Sequence, residues 1–112
     1  MIEDELIENI KVILKSADLV YLNKDYTSAT ILYFKTLFLV FDLIILKSKG
    51  KTPKDHTERF RILQQTYPNL YESLDKYFKI YRDTYSVSID KETCEVIKGY
   101  AKKTIKEYKI EI

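Results

Sequence analysis

Between residues 26 and about 48, nearly every position on every helical face is apolar: Ile31, Leu32, Phe34, Leu37, Phe38, Val40, Phe41, Leu43, Ile44 and Ile45. A helix hydrophobic all round has to be covered on all sides. The run is far longer than an ordinary strand. Lys35 and Asp42 interrupt it, and each is costly at bilayer depth. The expectation is therefore the buried central helix of a bundle, or a helix packed on a second subunit, with no membrane involved.

The rest of the chain agrees with an all-α fold. It has 112 residues, which points to one domain. Only two Gly and two Pro leave few places to turn, so long regular elements must fill it. Five Phe and ten Tyr supply large apolar surfaces, roughly 150–250 Å² each when buried. Leu6, Ile10, Ile13, Ala17 and Val20 form an amphipathic stripe over about 2–23, with an acidic first turn that suits the helix dipole. Asp25 is positioned to cap the second helix and Gly50 to end it. Asp55-His56-Thr57-Glu58 reads as a capping box opening a short helix over about 56–66, which buries Phe60, Leu63 and Tyr67. Pro68 stops that helix and starts the next. The fourth carries Leu70, Leu74, Tyr77, Tyr81 and Tyr85 at helical spacing and is expected to end near Thr84 or Ser86. Val87-Ser88-Ile89 is extended. Asp90 caps a fifth helix with Ile97, Ala101, Thr104, Ile105 and Tyr108 inward, Gly99 inside it, and lysines outward. The sequence thus predicts a five-helix antiparallel bundle, spanning 1–112 as one domain, with two long N-terminal helices and a short third.

Charge is locally uneven. Six positive and two negative residues lie between 47 and 61, so that segment's net +4 exceeds the chain's +2. This suggests a local anion site; a solvated lysine loop is the ordinary alternative. The single Cys94 excludes an intrachain disulfide and reads as structural. The N-terminus is acidic where a secretory signal is basic, so a cytoplasmic location is expected. Abundant Lys, Glu, Ile and Tyr resemble the usage of heat-adapted microbes.

Arginine is scarce: Arg59, Arg61 and Arg82 stand against sixteen lysines. Arg82 lies at a helix end among tyrosines, beside Asp83 and near Tyr85. There it can grip a phosphate, with Tyr85 stacking on a base. The alternative is an ion pair with Asp75 or Asp83 and Tyr85 in the core. His56, the only histidine, follows the basic loop and can serve as an acid–base group or anion contact; a plain surface histidine is the alternative. No second His or Cys stands at metal-ligand spacing, and no phosphate loop, nucleophile elbow or zincin helix occurs. Neither metal nor cofactor is expected.

Three segments together resemble the HEPN family, small helical-bundle domains of bacteria and archaea: Tyr33-Phe34-Lys35-Thr36-Leu37-Phe38, then Lys54-Asp55-His56, then Tyr81-Arg82-Asp83-Thr84-Tyr85. The resemblance spans roughly residues 5–105. It implies a homodimer, or pairing with a minimal nucleotidyltransferase, often as a toxin–antitoxin system. Many members are metal-independent RNases whose signature is an Arg followed after four to six residues by His. Arg82 matches the Arg, but Val87, Ser88 and Ile89 occupy the His positions, and none is an acid or base near neutral pH. Other members place an acid and a Tyr soon after the Arg, as Arg82-Asp83-Thr84-Tyr85 does. The resemblance therefore implies a non-catalytic protein that binds nucleotide or RNA. Arg82 would contact phosphate, with Asp83 beside it, Tyr85 lining the cleft and Lys54, His56 and Arg59 on its rim. The alternatives are a divergent RNase toxin and a purely structural module docking through its apolar second helix.

Overall fold

The computed structural model describes residues 2–112 and consists of five helices: α1 Ile2–Leu22, α2 Tyr26–Lys49, α3 His56–Thr66, α4 Pro68–Asp83 and α5 Lys91–Glu107. Among the described residues there is no strand. The expected all-α bundle and its order of long and short helices are what forms.

Local chemistry sets the boundaries. Asp25 accepts from the Ser28 N–H at 3.1 Å and Asp90 from the Thr93 N–H at 2.8 Å, each supplying an acceptor to a donor that a helix start leaves open. These bonds hold both carboxyl groups below the usual aspartate range. Gly50 closes α2 at φ +80°, and its N–H donates to the Leu46 carbonyl. Pro68 occupies the first turn of α4, where its missing N–H costs nothing. Only half of the capping box at α3 forms. Asp55 accepts from the Glu58 N–H at 2.8 Å, but the Glu58 carboxylate lies 3.8 Å from Arg61 instead of returning to the cap.

α2 is the centre of the molecule. Thirteen of its residues are buried, among them Tyr33, Phe34, Leu37, Phe41 and Ile45. By length and composition it could cross a membrane; here most of its apolar residues are buried against the chain's own helices, with Ile31 left exposed. α1 runs antiparallel to it: Asp18 receives the Tyr33 hydroxyl at 2.6 Å near the turn, and Glu3 meets Lys47 at the far end. α5 packs on another face of α2 through Cys94, Ile97, Ala101 and Ile105 and reaches α1 with side chains, Glu95 accepting from Tyr21 and Lys102 pairing with Asp18. Tyr108, grouped with the inward residues by spacing, lies past the helix end and is 40% exposed.

α3 and α4 form a second hairpin. It rests on α2 through large rings: Phe38 meets Tyr81 at 5.1 Å between centroids and Phe78 at 6.4 Å, and Phe34 meets Tyr81 at 5.3 Å. Rings of this size hold the backbones apart, so the hairpin stands off α2 where α1 and α5 lie close. The expectation that each helix packs on the next holds for α1–α2 and α3–α4. α4 and α5 meet through side chains, Tyr77 against Tyr100 at 5.1 Å between centroids, with few close backbone contacts. The turn between them is instead tied to the start of α2, with the Ile89 N–H donating to Thr27 Oγ1 at 2.8 Å.

The two glycines separate helix propensity from backbone strain. A Cβ added at Gly99, inside α5, meets nothing within 4 Å, and nothing within 4 Å at Gly50. Gly99→Ala should therefore raise stability by about 1 kcal/mol through helix propensity alone. Gly50→Ala should lower it by about 1 kcal/mol, because φ +80° is strained for an L side chain. Thermal melts of both variants check the pair, and shifts of the same sign would contradict this account.

Candidate functional site

Asp42 is the only acid of α2, and it sits among residues that are otherwise buried and apolar. A carboxylate there needs a partner. Arg59, one turn into α3, supplies it: Nε donates to Oδ1 at 2.7 Å and Nη2 to Oδ2 at 3.1 Å, a two-pronged grip. Arg59 is 8% and Asp42 9% exposed. The guanidinium carbon lies over the Phe38 ring, 5.1 Å from its centre.

The third contact fixes a proton. Arg59 Nη1 lies 2.6 Å from His56 Nδ1. Arginine has no acceptor, so Nδ1 must accept and the ring proton must sit on Nε2. His56 keeps solvent access, yet its ring is boxed by Phe38 at 4.6 Å, Tyr81 at 5.8 Å and Phe78 at 5.9 Å. This partial burial, and then the Arg59 charge, lower the imidazole pKa from its ordinary 6.5; Asp42 and Asp55 act weakly against them. Near neutral pH, His56 is thus a neutral ring offering an N–H.

Asp42, Arg59, His56, Phe38 and Tyr81 line one cavity of about 290 Å³, with Ile31, Lys35 and Leu39 of α2 completing it. Ile31 and Lys35 are exposed and mark its mouth. Burial, followed by the hydrogen bond to Tyr85, pushes the Tyr81 hydroxyl up to about 12, so it stays protonated.

The residues singled out in the sequence divide into separate places. His56 and Arg59 come together in this cavity. Arg59 is not a free cation on a rim, because a buried acid 17 residues earlier in the chain neutralises it. Lys54 is exposed on a different groove, with Asp55, Glu58 and Arg61. Arg82 is exposed, has no ion-pair partner among the described residues, and does not join the cavity lining. Asp83 pairs with Lys79 at 3.4 Å instead. Tyr85 is 77% exposed, outside the core, because α4 ends two residues before it. The Tyr85 and Tyr81 hydroxyls, 3.0 Å apart, join the Arg82 surface to the cavity. Cys94 is fully buried, and burial raises its thiol pKa, which makes it a poor nucleophile. Asp42, Phe38 and Tyr81 were not among the expected site residues. The signal for Asp42 was a lone acid in an apolar helix, which implies a cationic partner elsewhere in the chain.

Removing one partner of the buried pair strands a charge. Asp42→Ala should cost about 3–5 kcal/mol in chemical denaturation, whereas Asp42→Leu with Arg59→Leu together should recover most of that loss. Equal losses in single and double variants would contradict the pairing.

His56 gives a pH signature. Its folded pKa lies below 6.5, so the unfolded chain takes up a proton first. Stability should hold above that value, fall as pH drops through it, and level off below the folded pKa. Urea melts between about pH 7.5 and 5.5 should show a decline that His56→Gln reduces, and an unchanged slope in the variant would rule His56 out as its source. Comparison with protein-family models, with curated proteins and with solved structures finds no match to this chain.

Proposed function

We propose that this chain is a HEPN-like protein that binds nucleotide or RNA without turning it over. The observation that carries the reading is the exposed Arg82, without an ion-pair partner among the described residues, near the exposed ring of Tyr85. A guanidinium exposed to solvent is suited to a phosphate, and an exposed phenol ring gives a base a stacking face. The Tyr85 ring stands edge-on to Tyr81 at 5.6 Å between centroids, with the two hydroxyls 3.0 Å apart. Asp83 is occupied by Lys79 and therefore leaves Arg82 available. Catalysis is not part of the reading, because Val87, Ser88 and Ile89 offer no acid or base near Arg82. The five-helix bundle is the architecture the HEPN resemblance implies, and in that family such a protein acts as a homodimer or beside a nucleotidyltransferase in a toxin–antitoxin pair.

Fluorescence anisotropy with labelled single-stranded RNA, in EDTA, provides the test. Arg82→Ala should weaken binding roughly tenfold and reduce the dependence of affinity on salt by about one phosphate contact. Tyr85→Ala should cost about 1–3 kcal/mol of binding through lost stacking. Both residues are exposed, so melting temperatures should stay unchanged. Wild-type affinity in both variants would remove the assignment, and metal-free cleavage of the RNA by pure protein would replace it with the RNase reading.

A further inference from the structure

The α3–α4 hairpin is held together better than it is held down. Phe60 of α3 packs edge-on against Phe78 of α4 at 4.9 Å between centroids and against Tyr71 at 6.1 Å. Toward α2 the hairpin presents rings, chiefly Phe78 and Tyr81 against Phe34 and Phe38, and one buried ion pair, Arg59 with Asp42. Toward α5 the fit is looser. A cavity of about 190 Å³ lies between α4 and α5. The Tyr100 hydroxyl is buried without a hydrogen-bond partner among the described residues; Ser73, which lines the same cavity, donates to the Asn69 carbonyl instead. Such a group is costly for as long as it stays dry. The hairpin joins the rest of the chain through two non-helical segments, 50–55 and 84–90.

We propose that this hairpin is an acid-operated flap: protonation of His56 releases α3 and α4 from the bundle as one unit, while α1, α2 and α5 stay folded. The trigger is the bond from Arg59 Nη1 to His56 Nδ1. A protonated imidazole cannot accept it, so two donors and two positive charges would face each other at 2.6 Å. In the closed form neither side chain can turn away. Arg59 is gripped by Asp42, and the His56 ring stands among Phe38, Phe78 and Tyr81. Once the hairpin lifts, both are hydrated and free to part. The other charged or titratable groups around the ring are Asp42 and Lys35 of α2, Asp55 at the α3 cap and Tyr81 of α4. Asp42 and Asp55 offset the new charge only in part, Lys35 is itself a cation, and Tyr81 stays neutral. Burial and the Arg59 charge hold the closed-state imidazole below 6.5. The closed form is therefore favoured above that pH, loses ground as pH falls through it, and loses no more below the closed-state value. Lifting also hydrates the Tyr100 hydroxyl and uncovers Phe34 and Phe38.

Native-state hydrogen exchange, followed by mass on peptides and corrected for intrinsic rates, tests the flap in the wild type, His56→Gln and Tyr100→Phe at about pH 7.5 and about pH 5.5. Amides of α3 and α4 should be at least about tenfold less protected than those of α2 and α5 at both pH values. From the higher to the lower pH, hairpin protection should fall about threefold or more in the wild type. His56→Gln should remove that fall, because its amide oxygen can accept from Arg59 and does not titrate. Tyr100→Phe should raise hairpin protection, because it deletes the hydroxyl that stays dry only while the hairpin is closed. Equal protection in all of these helices would overturn the flap, since the bundle would then open only as a whole. Unchanged hairpin protection in Tyr100→Phe would mean that α4 never leaves α5, and would overturn it too. A wild type without the pH effect, or a pH effect that persists in His56→Gln, would remove the trigger and with it the proposal. None of these readouts involves RNA, so the result is independent of the binding assignment above.

Discussion

An ionised carboxylate two-thirds of the way along an apolar helix cannot be left alone, and the rest of this structure is arranged around that requirement. Asp42 is nearly buried, and a cation delivered from elsewhere in the chain, Arg59, neutralises it. Arg59 has to reach it, so the start of α3 must lie against the second half of α2. That pins the loop after Gly50, fixes where His56 stands, and seats the α3–α4 hairpin on one side of the central helix. A hydrophobic pair would hold the hairpin at least as firmly; the ion pair additionally specifies one orientation of one side chain.

The spacing of the hairpin from α2 follows from ring size. Phe34, Phe38, Phe78 and Tyr81 fill the gap with edge-on and tilted contacts. Rings packed edge-on do not tile as aliphatic chains do. Near the ion pair, where Ile31, Lys35 and Leu39 point outward from α2, the tiling leaves a cavity. The cavity therefore has a structural cause, and its donors have another: once Asp42 has taken the two-pronged side of the guanidinium, what Arg59 has left can only donate.

How far the sequence could be read depended on the range of the interaction. Caps and stops are decided within four residues, so Asp25, Gly50, Asp55, Pro68 and Asp90 all do what their positions indicate. The burial of α2 is likewise a property of one continuous segment. Interactions between distant segments were not legible. Asp42 could be recognised as an expensive residue in an apolar helix, but nothing in the spacing said that Arg59 rather than a lysine of the basic loop would answer it. Arg59 accordingly looked like an exposed rim residue and is a buried one. The angular position of Arg82 was a second blind point. Consecutive residues on a helix differ by about 100°, so with Tyr81 turned toward Phe38 and His56, Arg82 has to point away from the place where His56 and Arg59 meet. Periodicity gave Tyr85 to the inward stripe as well, but a stripe has meaning only while the helix lasts, and α4 ends at Asp83.

The same geometry explains why two chemically different places lie so close together. On one side of α4 an arginine faces water with no ion-pair partner among the described residues; on the other an arginine is paired with Asp42 and nearly buried. A free surface guanidinium in water attracts any phosphate weakly and without choice, because screening and hydration leave little directional preference. A nearly buried guanidinium is more directional, since a donor left unmatched in a desolvated contact is expensive. The two arginines thus differ in kind, one a hydrated charge and the other a set of directed donors, and the hydroxyl contact between Tyr81 and Tyr85 joins their surroundings.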